Sequence, residues 1–351
     1  MKRFTIVILL SLLSIMTFAE GYQVNLLSTR QTGMGHVGTG MKLGAESMYF
    51  NPAGLVFLRT NMDFSLGISA IMAKAKYSHN GYTAKTDNPV GTPLYAYAAF
   101  KIYDNLVAGI SLNTPFGNSL TWPQNWAGAG LIQDISLKSY VMLPTLSYKI
   151  TDRLSVGIGL QLAWGNVNLS RALMSASDFQ GIAAKFESLL PLLNNVPSNL
   201  IPEADKQKMQ DMVILMKNTI VPPAYARLEG DAHMRVGFNA GIMYDVCDKL
   251  TIGLSYRSKI KMRVKEGEAS LTYANQNIEN LFANMELLLA KYSPLVAQMG
   301  IQLPSISVPK YDQGSFRAEL PLPSNTTLGV SYRPTDRWEL ALDIQYIGWN
   351  A

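Results

Sequence analysis

The chain is poor in the residues that mark most enzymes and metalloproteins: 351 residues hold one cysteine, Cys247, and three histidines, His36, His79 and His233. A lone cysteine excludes an internal disulfide, and Cys247 sits in a short turn far from the start of any mature chain, so it reads as a tolerated thiol and not a lipid anchor. The histidines fall in separate segments with no nucleophile motif beside them, so no enzyme, metal site or cofactor is expected. Charged residues make up only 16%, and the net charge of +5 is spread without a basic run. Nucleic acid is therefore not an expected partner. Beyond the N-terminus, no stretch reaches the roughly 18 apolar residues that a membrane helix needs.

What is present is a repeated turn signature: Tyr103-Asp104-Asn105-Leu106, Thr151-Asp152-Arg153-Leu154, Cys247-Asp248-Lys249-Leu250 and Thr335-Asp336-Arg337-Trp338. Each Asp with its polar neighbour suits the tip of a short hairpin, and an apolar residue then restarts a period of two. Leu154, Val156, Ile158, Leu160, Leu162 and Trp164 share one face, opposite Ser155, Gly157, Gly159, Gln161 and Ala163. The same alternation runs through 250–257 and 338–346. An apolar face backed by a small or polar one fits a soluble sandwich as well as a lipid-facing wall. Tyrosine is abundant at 17, and Tyr148, Tyr244, Tyr256, Tyr332 and Tyr346 lie on the apolar face near strand ends, as aromatic girdles do. The N-terminus separates the two readings. Lys2 and Arg3, an apolar run to Phe18, and Thr17-Phe18-Ala19 read as a secretory signal over 1–19. An exported chain that meets lipid without a membrane helix must do so as a closed barrel. The expectation is all-β, a transmembrane antiparallel β-barrel in a Gram-negative outer membrane, with a soluble periplasmic β-protein as the alternative.

Residues 20–60 differ from the rest. Gly33, Gly35, Gly38, Gly40 and Gly44 give a bendable backbone, which predicts an N-terminal plug, or hatch, inside the barrel. Gly33-x-Gly35-x-x-Gly38 has dinucleotide-site spacing, but no buried strand precedes it and no βαβ unit surrounds it. Residues 61–351 predict a partial barrel, with strands near 62–77, 93–103, 106–116, 135–150, 153–171, 225–246, 249–266, 315–333 and 337–349. Short turns lie at one end, taken as periplasmic. Long connections near 117–134, 172–224 and 267–314, with a shorter one at 78–92, lie at the other and predict extracellular loops. An odd strand number departs from the even counts of bacterial barrels, so C-terminal strands are expected to be missing and the fragment is not expected to insert alone.

Two long loops carry helical periodicity: Met209, Met212, Val213, Met216 and Ile220, then Leu281, Met285, Leu288, Leu289, Tyr292 and Val296. Such helices either pack on one another or also form a greasy landing surface, since Met-rich faces adapt to varied apolar ligands. Two further motifs stand out. Asn51-Pro52-Ala53-Gly54 precedes the first strand, and its plain reading is a breaker between plug and barrel. Thr114-Pro115-Phe116-Gly117 ends the third, before Trp122 and Trp126. Proline deletes a ladder hydrogen bond, so Pro115 either opens a gap in the wall or merely ends a strand above it.

With Gly33-Met34-Gly35, Asn51-Pro52-Ala53-Gly54-Leu55, Thr114-Pro115-Phe116-Gly117, Leu143-Pro144-Thr145-Leu146-Ser147-Tyr148-Lys149 and Leu320-Pro321-Leu322-Pro323 in place, the chain resembles the FadL/TodX family of outer-membrane transporters for long-chain fatty acids and hydrophobic compounds. The resemblance implies a 14-stranded barrel of which about nine strands are present here, plugged by a hatch that contains the Asn-Pro-Ala motif. It implies passive transport: capture by extracellular loops, a hatch-gated lumen pocket, and lateral exit into the membrane at a kink in strand three, where Thr114, Pro115, Phe116 and Gly117 match. Candidate ligand contacts are Leu120, Trp122 and Trp126 after the kink, and Phe186, Leu189, Met212, Met216 and Leu288 in the helical loops. Expected partners are long-chain fatty acids, aromatic hydrocarbons and outer-membrane lipid, with the protein a monomer. Arg153, Arg171 and Arg257 are cations that a carboxylate ligand would want nearby. A structural or adhesive barrel without transport is the alternative.

Overall fold

The computed structural model describes residues 21–298 and 313–349, so the signal segment expected over 1–19 lies outside it. Among the described residues, alternation and turn chemistry produce one antiparallel sheet of 13 strands, plus a separate hairpin of β2 (Lys76–His79) and β3 (Tyr82–Lys85). Nine strands form its continuous path. In order they are β1 (Met62–Ile68), β4 (Leu94–Tyr103), β5 (Leu106–Asn113), β7 (Asp134–Met142), β9 (Leu154–Ala172), β10 (Ala224–Cys247), β11 (Leu250–Arg257), β14 (Ser324–Thr335) and β15 (Trp338–Gly348). Sequence neighbours pair side by side. The repeated turns are where expected: Tyr103 pairs with Leu106, Cys247 with Leu250 and Thr335 with Trp338, each after a register shift that closes the hairpin tip.

Four more strands continue the wall where proline or a polar pair interrupts it. Pro144 separates β7 from β8 (Thr145–Lys149), and Pro323 separates β13 (Gln313–Leu322) from β14. Ser258-Lys259 divides β11 from β12 (Ile260–Tyr273), and Thr114 to Phe116 divide β5 from β6 (Gly117–Thr121). The long β10 holds both halves of one interruption, pairing β11 through its C-terminal part and β12 through its N-terminal part. The sequence pattern blurred these breaks. The strand expected over 62–77 ends at Ile68, and the loop expected near 117–134 contains β6.

The apolar face of the wall is the exposed one, which decides against a soluble sandwich. Ile158 is 58% exposed, Val236 63% and Leu342 63%, while Ser155, Gln161, Asn239 and Ser331 on the opposite face are buried. All five girdle tyrosines lie among the exposed residues. A face of this composition is stable only against lipid. Among the described residues no helix is long and apolar enough to cross a membrane. The small-residue face is covered by the N-terminal segment, whose Leu27, Met48, Leu55 and Val56 pack with Tyr95, Tyr97, Val107 and Leu143. At the loop end, α1 (Ala176–Asn194), α2 (Glu203–Asn218) and α3 (Gln276–Gln298) lie outside the sheet.

Candidate functional site

Asn51-Pro52-Ala53-Gly54 is buried and keyed into the wall. Asn51 has extended backbone, and its Oδ1 accepts from the Ala53 N–H at 3.1 Å, capping the short 3-10 helix Pro52–Phe57 with Pro52 in its first turn. Its Nδ2 donates to the Thr39 carbonyl at 2.9 Å and to the Ile242 carbonyl of β10 at 3.1 Å. The Ala53 carbonyl accepts from Ser147 Oγ at 3.2 Å and Ser155 Oγ at 2.9 Å. The wall admits this close approach because it presents glycine. A Cβ at Gly157 would overlap the Pro52 carbonyl carbon, one at Gly241 the Asn51 Oδ1, and one at Gly253 the Thr39 carbonyl oxygen. These glycines looked in sequence like ordinary small-face residues.

Charge fixes the same segment at other points. Arg257, the inward cation, donates from Nη2 to the Tyr49 carbonyl at 2.8 Å and lies 3.8 Å over the Tyr49 ring. It is committed to the N-terminal segment, and Arg153 and Arg171 are exposed. Asp343 Oδ2 of β15 accepts from the Gly38 and Thr39 N–H groups at 2.9 and 3.0 Å. Lys42 pairs with Asp245 at 2.6 Å. His36, in the left-handed region at φ 64, has its pKa lowered by burial.

Pro115 lies within the wall, because β6 continues beyond it. Thr114 substitutes for the lost ladder: its N–H donates to the Leu94 carbonyl at 3.2 Å, and its Oγ1 accepts from the Leu94 N–H at 2.9 Å. Past this point the chain leaves β4 and pairs with β7, Gly117 opposite Lys138. On the other side, the residues before β4 turn to the continuation of β1, with Ile71 and Gly91 exchanging hydrogen bonds at 2.8 and 2.9 Å. The far end closes where Asp87 N–H donates to the Thr121 carbonyl and Thr121 N–H to Asn88 Oδ1. A window results, with a cavity of about 310 Å³ bordered by Ile71, Pro93, Leu94, Phe116, Leu137 and Tyr140.

Residues 22–24 lie across this window. The Val24 N–H donates to the Pro115 carbonyl and the Gly117 N–H to the Tyr22 carbonyl, both at 2.8 Å. Tyr22 meets Phe116 and Trp349 edge-on at 6.0 and 5.5 Å, and its hydroxyl donates to the Pro321 carbonyl at 2.7 Å. Behind it, Phe116 joins an apolar cluster with Val141, Ile260, Met262, Val264 and Leu322. Sequence reading missed this strap, because Tyr22 to Val24 carry no motif.

The candidate ligand contacts fall into two groups. Trp122 and Trp126 stack at 4.1 Å, buried with Ala129, Ala172 and Tyr225, and Leu120 packs beside them. Phe186, Met212, Met216 and Leu288 turn inward between the three helices around a space of only about 50 Å³. Leu189 is half-buried on α1 and does not line that space. The helices therefore pack on one another around this small space. Asp205 ties α2 to α3, accepting from Tyr292 OH at 2.5 Å and Lys291 Nζ at 2.9 Å. The Tyr292 hydrogen bond, then that of Lys291, holds its pKa down to about 2.

Comparison with known proteins follows this anatomy. The family described as "Outer membrane protein transport protein (OMPP1/FadL/TodX)" matches residues 10–351. The long-chain fatty acid transport protein of Escherichia coli O6:H1 is 22% identical over 284 residues, 79% of this chain and 58% of that protein. Outer membrane protein P1 of Haemophilus influenzae is 24% identical over 199 residues, 57% of this chain and 40% of the relative. This chain thus spans little more than half the length of the fatty acid transport protein. Among solved structures, a Pseudomonas aeruginosa FadL homologue superposes with a TM-score of 0.59 at 17% identity, covering 94% of this chain and 70% of the other. The Pseudomonas putida toluene transporter TodX gives 0.55 at 17% identity over the same shares.

Proposed function

The chain belongs to the OMPP1/FadL/TodX family of outer-membrane transport proteins, and from that premise we propose that it forms part of a passive channel for long-chain fatty acids or other hydrophobic compounds. The observation that carries this reading is the window between β4 and β6, bordered by apolar side chains and backed by an apolar cluster. A hydrocarbon chain loses about 0.8 kcal/mol for each CH₂ returned to water. Passage from loops to lumen and sideways into lipid keeps that burial nearly constant, so a gradient is a sufficient driving force.

Residues 20–60 act as the hatch and residues 22–24 as its latch. Two backbone hydrogen bonds and the Tyr22 hydroxyl bond contribute about 1 kcal/mol each, and two aromatic contacts about 0.5 kcal/mol each. Together they hold the window shut by about 4 kcal/mol, an open fraction near one in a thousand. Ligand in the lumen would displace this strap, and the anchored Asn51 motif would limit how far the hatch follows. The test is uptake of a labelled long-chain acid and of toluene by outer-membrane vesicles, with and without Tyr22→Ala. Faster uptake of either compound with Tyr22→Ala supports the reading. Uptake equal to empty vesicles in both forms would assign the protein a structural or adhesive role.

A further inference from the structure

The pairing of β1 with β4 does not stop at Ile68. The Ser69 N–H donates to the Pro93 carbonyl at 2.9 Å and the Thr86 N–H to the Ala75 carbonyl at 3.0 Å, so the ladder runs on past Ile71 and Gly91 into the hairpin of β2 and β3. Alternation runs on with it: Met62, Phe64, Leu66, Ile68 and Met72 are all exposed on the apolar side of the wall. The ten residues from Met62 to Met72 climb about 25 Å at about 3.3 Å each and a tilt of about 40°, the height of an outer-membrane apolar band. Lys74 and Lys76 follow on the same side, so their ammonium groups stand where lipid headgroups begin. The other face of the hairpin is fixed by packing. Ala84 is buried with Trp122 and Trp126, Ala75 packs on the same cluster, and Tyr77 meets Trp126 edge-on at 5.9 Å. Lys76 and Lys85 therefore both face outward, directly opposite each other in register. Their Cβ atoms are about 5 Å apart in such a pair, and like charges so placed repel. Lys74, Lys76 and Lys85 are exposed, and none has an ion pair among the described residues. Between residues 69 and 93 the sole acid is Asp87, whose backbone is tied to Thr121.

We propose that Lys74, Lys76 and Lys85 hold a phosphate monoester of the phosphorylated glycolipid of the outer leaflet, lipid A. The proposal takes the loop end as the outer one and holds whatever the channel carries. A phosphate seated between Lys76 and Lys85 replaces their repulsion by two charge-assisted hydrogen bonds. The Ser78 and Thr83 hydroxyls, 3.1 Å apart on the same face, offer further donors. The acyl chains of the same lipid would lie along Met72, Ile68 and Leu66, so one molecule covers both halves of this surface. A phosphate monoester carries close to two negative charges against one for the phosphodiester of a glycerophospholipid, which favours the glycolipid at a site of three cations.

The test is native mass spectrometry of the full chain in mild detergent with diphosphoryl lipid A, its dephosphorylated form and phosphatidylglycerol at equal concentrations. The expected result is lipid A retained about tenfold more than either of the others, the yield of one charge-assisted hydrogen bond, with the preference shrinking as salt rises. Lys76→Ala combined with Lys85→Ala should abolish the preference, and Lys249→Ala at the turn end should leave it unchanged. The double variant removes a repulsive pair, so its hairpin should be at least as stable as that of the unaltered chain. Equal retention of lipid A and its dephosphorylated form, or tightest retention of phosphatidylglycerol, would overturn the proposal. A preference that survives in the double variant would overturn it as well. On the unaltered chain, lipid A should also slow hydrogen exchange of the amides over 76–85, and unchanged exchange there would place the lipid elsewhere and refute the assignment.

Discussion

Replacing Asn51 by alanine should free the hatch without dissolving the wall. The side chain is fully buried and makes three hydrogen bonds, to Thr39, Ile242 and Ala53. Each is worth about 1 kcal/mol net, and the buried carbonyls and N–H left behind cost more than that when orphaned. Loss of the cap on Pro52–Phe57 is part of the same sum, about 1 kcal/mol. The variant should therefore weaken hatch docking by about 3 to 4 kcal/mol, raising the undocked population by a factor of several hundred. Hydrogen exchange read by mass spectrometry is the assay. Amides over 39–57 should exchange faster by that factor, while those of β9 and β10 keep their protection. Unchanged protection over 39–57 would refute the idea that this side chain is the hatch anchor, and equal acceleration in β9 would show the motif to be part of general barrel stability.

Other consequences follow from the same contacts. Gly241→Ala should mimic Asn51→Ala in hydrogen exchange, because its Cβ overlaps Asn51 Oδ1, whereas Gly117→Ala, whose Cβ would sit 3.2 Å from the Leu137 carbonyl oxygen, should perturb the hatch far less. The α2–α3 junction should loosen in acid. Asp205 is held near 2 in the folded chain against about 3.9 unfolded, so its contribution is complete above about pH 4 and fades as pH falls through 2. Limited proteolysis of the helical loops should accelerate over that window, and Asp205→Asn should flatten the dependence. Pro115→Ala restores a ladder donor worth about 1 kcal/mol and should slow hydrophobic uptake about fivefold in vesicles; an unchanged rate would remove Pro115 from the exit path.

Much of this anatomy is legible in the chain because a strand records its two faces in a period of two. Turn tips at Asp104, Asp152, Asp248 and Asp336 fixed the hairpin order, and the exposed tyrosines sat where alternation placed them. Interruptions at Pro144, Pro323 and Ser258 were less legible, since β10 spans a break in its neighbours and hides it. The site was legible only as motifs. Asn51 and Pro115 announce themselves by residue type, but their meaning depends on partners such as Gly157, Gly241 and Tyr22 that are distant in sequence and unremarkable in composition. The helical loops were read by period, and the same period suits self-packing or ligand capture. Self-packing is what the structure shows, with Met212, Met216 and Leu288 around one small space between the helices.

The most direct test of lateral passage is photolabelling with a diazirine-bearing long-chain acid on the protein in outer-membrane vesicles, followed by peptide mapping. Passage through the window predicts adducts at Leu94, Phe116, Leu137 and Tyr140, lost when excess unlabelled acid competes. Adducts confined to the lipid face of β9 to β11 or to the helical loops would contradict it.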